Sequence, residues 1–275
     1  RPSRSPQLTP HRTKPRQEAP VNRAVVTIAV WQTLLDESPG FGDQVRGARI
    51  ACVIEAVGRA TGDPVDADSA GTALDFAADK FETAYLSGAP IDNIKRVQLI
   101  GAALDVHFSA DETRHLADAL GKTHVPTNLR TRPGVRQMLQ ELSRERTVVA
   151  LSDTWMSPGA ALRASLAHHG LSMYLADELY SDETGSFKVT GEAWRLAANR
   201  LGTSVDRIIH IGDLPDIDGA GAAAAGCAAA IVIQHPNHPV PSRRSGSADV
   251  RVVTDPRVIP AVVAELDPPS RTRSI

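Results

Sequence analysis

His210-Ile211-Gly212-Asp213-Leu214-Pro215-Asp216-Ile217-Asp218 is the stretch that decides how this chain reads. An apolar run ends in Gly212-Asp213. A further carboxylate, Asp218, follows five residues after Asp213, where the small-residue stretch Gly219-Ala220-Gly221-Ala222 opens. In open α/β sheets ligands bind outside the carboxyl ends of the strands, so an apolar run closing on an acid marks a strand tip that carries chemistry. Two acids there, Asp213 and Asp218, make a hard-oxygen site suited to Mg2+. Taken alone, Asp218 reads as a helix cap. The whole Gly-Asp-x-x-x-x-Asp spacing, with small residues behind it that let a helix approach the sheet, favours a metal site.

Outward from this motif the chain alternates strand and helix. Towards the C-terminus, an alanine-rich helix is predicted over 219–225 and a strand over 229–233. A loop (235–247), a strand (250–253) and a helix (257–266) follow. Towards the N-terminus come a strand over 207–211, a helix over 191–201, an extended piece at 178–180, a helix over 159–169 and a strand over 147–151. Before these, Pro133 stands near the start of a helix carrying Val135, Met138, Leu139 and Leu142. The first strand is the β-branched run over 24–30. This alternation predicts a parallel sheet with right-handed crossovers.

Between about 41 and 122 the apolar period is helical. Val45, Ile50, Val53, Ile54 and Val57 form one stripe, Leu74, Ala77, Phe81 and Ala84 a second, and Ile94, Val97, Ile100 and Leu104 a third. Ser109 with Glu112 three residues on is a capping box opening a fourth helix. The expected fold class is α/β: a Rossmann-like parallel sheet interrupted, after its first strand, by a helical bundle. The core is expected over 23–36 and 131–267, and the helical insert over 37–130. A disordered, basic and proline-rich arm is expected over 1–22 and a frayed tail over 268–275.

Composition narrows the function classes. The 275 residues carry a formal net charge of −2, so no global basic field argues for nucleic acid. No apolar run reaches the ~20 residues needed to span a bilayer. The two cysteines, Cys52 and Cys227, follow no metal or redox spacing and read as reduced thiols in a cytoplasmic protein. The chain opens on Arg1 rather than Met, which suits a trimmed product or a part of a longer multidomain protein.

With these residues in view, the chain resembles the haloacid dehalogenase-like (HAD) hydrolases, on the phosphatase side of that superfamily. Gly-Asp-x-x-x-x-Asp after a strand looks like the family's fourth signature. Val148-Val149-Ala150-Leu151-Ser152 looks like the second, in which the hydroxyl holds a phosphoryl oxygen. Lys188, in Gly185-Ser186-Phe187-Lys188, looks like the third, whose ammonium offsets phosphate charge. The first signature is Asp-x-Asp-x-Thr; here it reads Ala29-Val30-Trp31-Gln32-Thr33-Leu34-Leu35. The resemblance implies that Ala29 occupies the position of the attacking aspartate and Trp31 that of the acid/base. It implies Thr33, Ser152, Asp153 and Lys188 as substrate contacts. It also implies a Mg2+ site from Asp213, Asp218 and the Trp31 backbone carbonyl, weakened by the missing carboxylate at 29. The helical insert matches the family's cap, which closes over the site. Arg46, Arg49, Lys80, Lys95 and Arg96 are its cationic candidates to meet a small phosphorylated substrate.

Three readings of Ala29 stand side by side. In the first, the parent is a Mg2+-dependent phosphohydrolase working through an aspartyl-phosphate, and Ala29 is a replacement that leaves binding without turnover. In the second, the chain is a natural pseudoenzyme serving as a phospholigand-binding or regulatory domain. The third is other chemistry. A dehalogenase needs the same aspartate and no metal, and a phosphonate hydrolase needs a cap lysine such as Lys80 or Lys95. A dinucleotide binder would need Gly-x-Gly-x-x-Gly after the first strand, and a serine hydrolase a Gly-x-Ser-x-Gly elbow; neither is present.

Overall fold

A computed structural model describes residues 23–124, 129–235 and 249–267. The arm expected over 1–22, the tail over 268–275 and nearly all of the loop over 235–247 lie outside the described residues. The core is a parallel six-stranded sheet in the order β5-β4-β1-β6-β7-β8. Its strands are β1 (Val25–Ile28), β4 (Val148–Ser152), β5 (Asp177–Tyr180), β6 (Ile208–Gly212), β7 (Ala229–Ile233) and β8 (Asp249–Val253). β1 lies centrally, pairing Val26 with Val148 on one side and with Ile209 on the other. The chain moves outward from β1 to β4 and β5, then returns to build β6, β7 and β8 on the opposite side. That reversal brings the carboxyl ends of β1, β4 and β6 together, which is where such sheets hold ligands.

Every residue of β4, β6 and β7 is buried. Their β-branched and alanine content suits a sheet covered on both faces. One face packs through Val26, Ile28, Ala150, Ile209 and Ile211 against Val135, Met138, Leu139 and Leu142 of helix α5 (Val135–Glu145). The other packs through Val149, Leu151 and Ile208 against Ala193, Trp194 and Ala197 of helix α8 (Glu192–Leu201). Helix α6 (Gly159–His168) and the short α7 (Ser181–Thr184) flank β4 and β5, and α10 (Ile259–Leu266) closes the chain over α5.

Between β1 and α5 the chain forms four helices, α1 (Phe41–Thr61), α2 (Ala67–Leu86), α3 (Asn93–Ala103) and α4 (Ala110–Lys122). They share an apolar cluster of their own, with Val53, Val57, Ala73, Leu74, Val97, Ile100, Leu116 and Leu120 among its members. The capping box is formed at α4: the Ser109 hydroxyl accepts from the Glu112 N–H, and the Glu112 carboxylate accepts from the Ser109 N–H.

Two features differ from the sequence expectation. Antiparallel strands β2 (Leu35–Glu37) and β3 (Leu129–Thr131) pair as a two-stranded ribbon where the chain leaves and re-enters the core. At three residues each they are too short to leave a period-2 signature. The alanine-rich helix expected over 219–225 is instead a wide turn over Pro215–Gly221 running into the four-residue α9 (Ala222–Ala225). The turn is wide because the N–H groups of both Asp218 and Gly219 bond to the Leu214 carbonyl, folding Asp218 back under the strand tip.

Candidate active site

A cavity of about 520 Å3 opens where the tips of β1, β4 and β6 meet the four-helix unit. Ala29, Trp31, Ser152, Asp153, Lys188, Asp213 and Asp218 all line it, so the fold brings together nearly every residue the sequence singled out. Their roles within it are unequal.

Asp218 is fully buried, and its carboxylate is surrounded by donors. Oδ2 accepts from the N–H of Asp213 at 3.0 Å and of Leu214 at 2.9 Å. Oδ1 accepts from Lys188 Nζ at 2.5 Å and faces His210 Nε2 at 3.0 Å. Burial alone would raise its pKa, but the charge of Lys188 and the hydrogen bond from His210 overcome this and hold it low. Gly212 is required by this arrangement, since a Cβ there would lie 2.1 Å from Asp218 Cγ. His210, on β6, is itself buried; its Nδ1 lies 2.9 Å from the Thr27 hydroxyl and its ring meets Trp194 edge-on. Burial lowers its pKa and keeps it neutral, so Nε2–H donates to Asp218 and Nδ1 accepts from Thr27.

Asp218 was expected as a metal ligand, and in this structure its oxygens already have partners. With four donors on its two oxygens, it anchors Lys188 and the strand-tip turn. Lys188 is buried as well; burial pulls its pKa down, and the charges of Asp218, Asp153 and Asp213 more than compensate, leaving it raised and the ammonium charged.

Asp213 is the acid at the strand tip. Burial and the neighbouring charge of Asp218 push its pKa up, while the hydrogen bond from Thr33 and the charge of Lys188 oppose the rise. The Thr33 hydroxyl donates to Asp213 Oδ1 at 2.8 Å and is completely buried. Thr33, expected as a substrate contact, does not line the cavity, and its hydroxyl orients Asp213. Asp153, expected as a substrate contact, lines the cavity. Its carboxylate accepts from the Lys188 N–H at 3.1 and 3.2 Å and from the Tyr85 hydroxyl of α2, tying the four-helix unit to the core. By contrast, among the described residues the Ser152 hydroxyl has one 3.4 Å contact, to the Asp153 carbonyl, and Ser152 lines the cavity.

At the tip of β1, Ala29 is buried at 3 % exposure and its N–H bonds to the Ile211 carbonyl at 2.8 Å. Trp31 lies in an aromatic cluster, 5.4 Å from the Phe41 ring of α1 and 5.6 Å from the His124 ring. His124 is held between Ser157 and Ser165 at 3.1 and 3.0 Å. Burial, with Arg49 nearby, lowers its pKa to about 4. Gln32 adopts a left-handed φ of 55°, and its carbonyl accepts from Arg132 at 2.6 Å, which fixes the turn leaving β1. Neither Tyr85 nor His124 was legible in the sequence, because each acquires its role only through contacts far along the chain.

The residues present do not fit a resident Mg2+. Ala29 supplies no oxygen, Asp218 is saturated with donors, and Asp153 is engaged by Lys188 and Tyr85, which leaves Asp213 as the acid of the expected set. Among the described residues no group of three or more His, Cys, Asp or Glu side chains is arranged to hold a metal ion.

Of the cationic candidates, Lys80 and Lys95 are exposed and do not line the cavity, so neither is placed to act as a Schiff-base lysine. Arg46 lines it but is paired with Asp75. Arg49 and Arg96 line it as well. No helix of the described residues is long and apolar enough to cross a membrane.

Comparisons with known proteins agree with this architecture. A 2-haloacid dehalogenase from Pseudomonas syringae superimposes with a TM-score of 0.61 at 20% identity, over 89% of this chain and 99% of that one. The HAD-hydrolase YfnB from Bacillus subtilis, solved bound to magnesium, gives 0.58 at 15% identity, over 88% and 98%. A HAD phosphatase from Thermococcus onnurineus gives 0.56 at 16% identity, over 87% and 97%. These likenesses speak to fold alone, and they include both phosphatases and dehalogenases. No curated protein matches the chain in sequence. The family model for haloacid dehalogenase-like hydrolases matches residues 30–226, more than half of the chain, so this protein belongs to the haloacid dehalogenase-like hydrolase family.

Proposed function

We propose that this chain is a ligand-binding member of its family, lacking the aspartyl route to turnover, and that the strand-tip cavity receives a small phosphorylated molecule. The Ser152 hydroxyl and the Lys188 ammonium would meet the phosphoryl oxygens. Lys188 has three N–H donors, so bonding to Asp218 leaves others for a ligand. The observation that carries the reading is Trp31. The acid/base position carries no ionisable group. Instead an indole stands there, braced by Phe41 and His124 in an aromatic cluster. Both Cys52 and Cys227 are free thiols, which suits a cytoplasmic setting.

Thermal melts of the unaltered chain with inorganic phosphate test the binding. Stabilisation is expected, and it should vanish in Ser152→Ala. Equal stabilisation of both proteins would remove the assigned seat. Ala29→Asp, assayed with Mg2+ on phosphomonoesters and diphosphates and without metal on 2-haloacids, tests the absence of turnover.

A second reading has its own support: Thr33 still orients Asp213, and Lys188 is still anchored by Asp218. On that reading the scaffold is a hydrolase disabled at one residue. Turnover by Ala29→Asp on either substrate class would establish it and overturn the first.

A further inference from the structure

Arg49 and Arg96 are two guanidinium groups lining the cavity on the side of the four-helix unit. Arg96, on α3, is 2 % exposed. Among the described residues its hydrogen bonding amounts to one long contact, from Nη1 to Asn93 Oδ1 at 3.3 Å, and its Nε is buried with no partner. Its guanidinium lies 3.5 Å above the centre of the Phe81 ring. Arg49, on α1, is half-buried and donates from Nε to the neutral Thr123 hydroxyl at 3.2 Å. Neither is ion-paired with a carboxylate among the described residues, whereas Arg46, one turn before Arg49 on the same helix, is paired with Asp75. Burial, and for Arg96 also the like charge of Arg49, pushes both pKa values down, Arg49 to about 10 and Arg96 to about 9. A guanidinium still stays protonated near neutral pH. The folded chain therefore carries two mutually repelling, poorly solvated cations that an anion in the cavity would relieve.

We propose that Arg49 and Arg96 form an anion seat at the cap end of this cavity, and that the ligand is a small organic anion whose apolar body lies against Phe41, Val45, Leu74 and Phe81. A guanidinium offers a planar fork of donors that matches a carboxylate or a phosphate, and the walls between the two arginines and the strand tips include these apolar side chains. A bare inorganic ion would leave those walls unfilled. The proposal rests on the cavity being the ligand site, and it is independent of whether the chain turns anything over.

Calorimetric titration with phenylacetate and with phenyl phosphate separates the carboxylate and phosphate sources; 2-phenylethanol is the neutral control. At least one of the anions should bind the unaltered chain and the alcohol should not. Arg49→Met and Arg96→Met should each weaken the anion by about tenfold or more, the scale of a lost charge-assisted hydrogen bond. Without ligand, Arg96→Met should melt at a higher temperature than the unaltered chain, because an unpaired buried charge has been removed. A guanidinium kept only for packing would give a lower one. Unchanged binding in both variants, or no binding of either anion, overturns the seat. Phenylacetate binding should survive Ser152→Ala. Loss of phosphate binding in Ser152→Ala with intact anion binding in both methionine variants would sink this seat while leaving the strand-tip reading in place; the opposite pattern would do the reverse.

Discussion

The tips of β1 and β6 sit side by side over one cavity, yet they are built from opposite chemistry. At β6, Asp213, Asp218, Lys188 and His210 form a buried polar network in which each charge has a partner. At β1, the corresponding place is held by Ala29 and by the Trp31–Phe41–His124 cluster. A buried ion pair is costly to assemble and more costly to break from one side. An aromatic cluster tolerates loss in smaller steps. The half of the site that carries the acids is thus the half in which an acid cannot be replaced without damage to folding. The presence of Asp218 is therefore weak evidence for catalysis, because stability alone accounts for it.

The largest effect should come from breaking the β6 side. Asp218→Ala strands Lys188 and His210 and frees two backbone N–H groups, and it should cost about 3–5 kcal/mol. A urea midpoint close to that of the unaltered protein would show that the network is dispensable.

The β1 side should fail through acid. His124 has its pKa lowered from 6.5 to about 4, so the fold favours the neutral ring. The stability this represents is complete above pH 6.5 and is lost as pH falls from there towards 4, up to about 3 kcal/mol. Comparing the pH dependence of unfolding with that of His124→Gln isolates it; parallel curves would argue against the assignment.

Trp31→Leu should cost about 1–2 kcal/mol, since the indole is only partly buried and its neighbours remain. A loss as large as that of Asp218→Ala would erase the contrast between the two tips. Smallest of all, Ser152→Ala should change stability by less than about 0.5 kcal/mol. Its hydroxyl makes just a 3.4 Å contact to a neighbouring carbonyl, so the change should be read in ligand binding instead.

Much of this was legible in the sequence. The runs around Val26, Val149 and Ile209 are β-branched and locally self-consistent, and Ser109 with Glu112 fixes a helix start within four residues. The parts that escaped are those that depend on distant partners. Asp218 looked like a metal acid because spacing shows a carboxylate near a strand tip and says nothing about donors arriving from Lys188 and from the backbone of Asp213. Tyr85 acquires its role only where the fold brings its hydroxyl to Asp153. The β2–β3 ribbon joins residues some ninety positions apart, and only three on each side.

That ribbon has a consequence for how the molecule can be rebuilt. Glu37 pairs with Leu129 and Leu35 with Thr131, so the two ends of the insert lie one ladder spacing apart, about 5 Å. The four-helix unit is thus attached like a bead on a closed clasp: the chain that departs is already knitted to the chain that returns. A tight turn joining Glu37 to Leu129 would complete a hairpin without moving either strand. The lid of this cavity is in that sense an exchangeable part, and a different specificity could be grafted onto the same sheet by replacing what lies beyond the clasp.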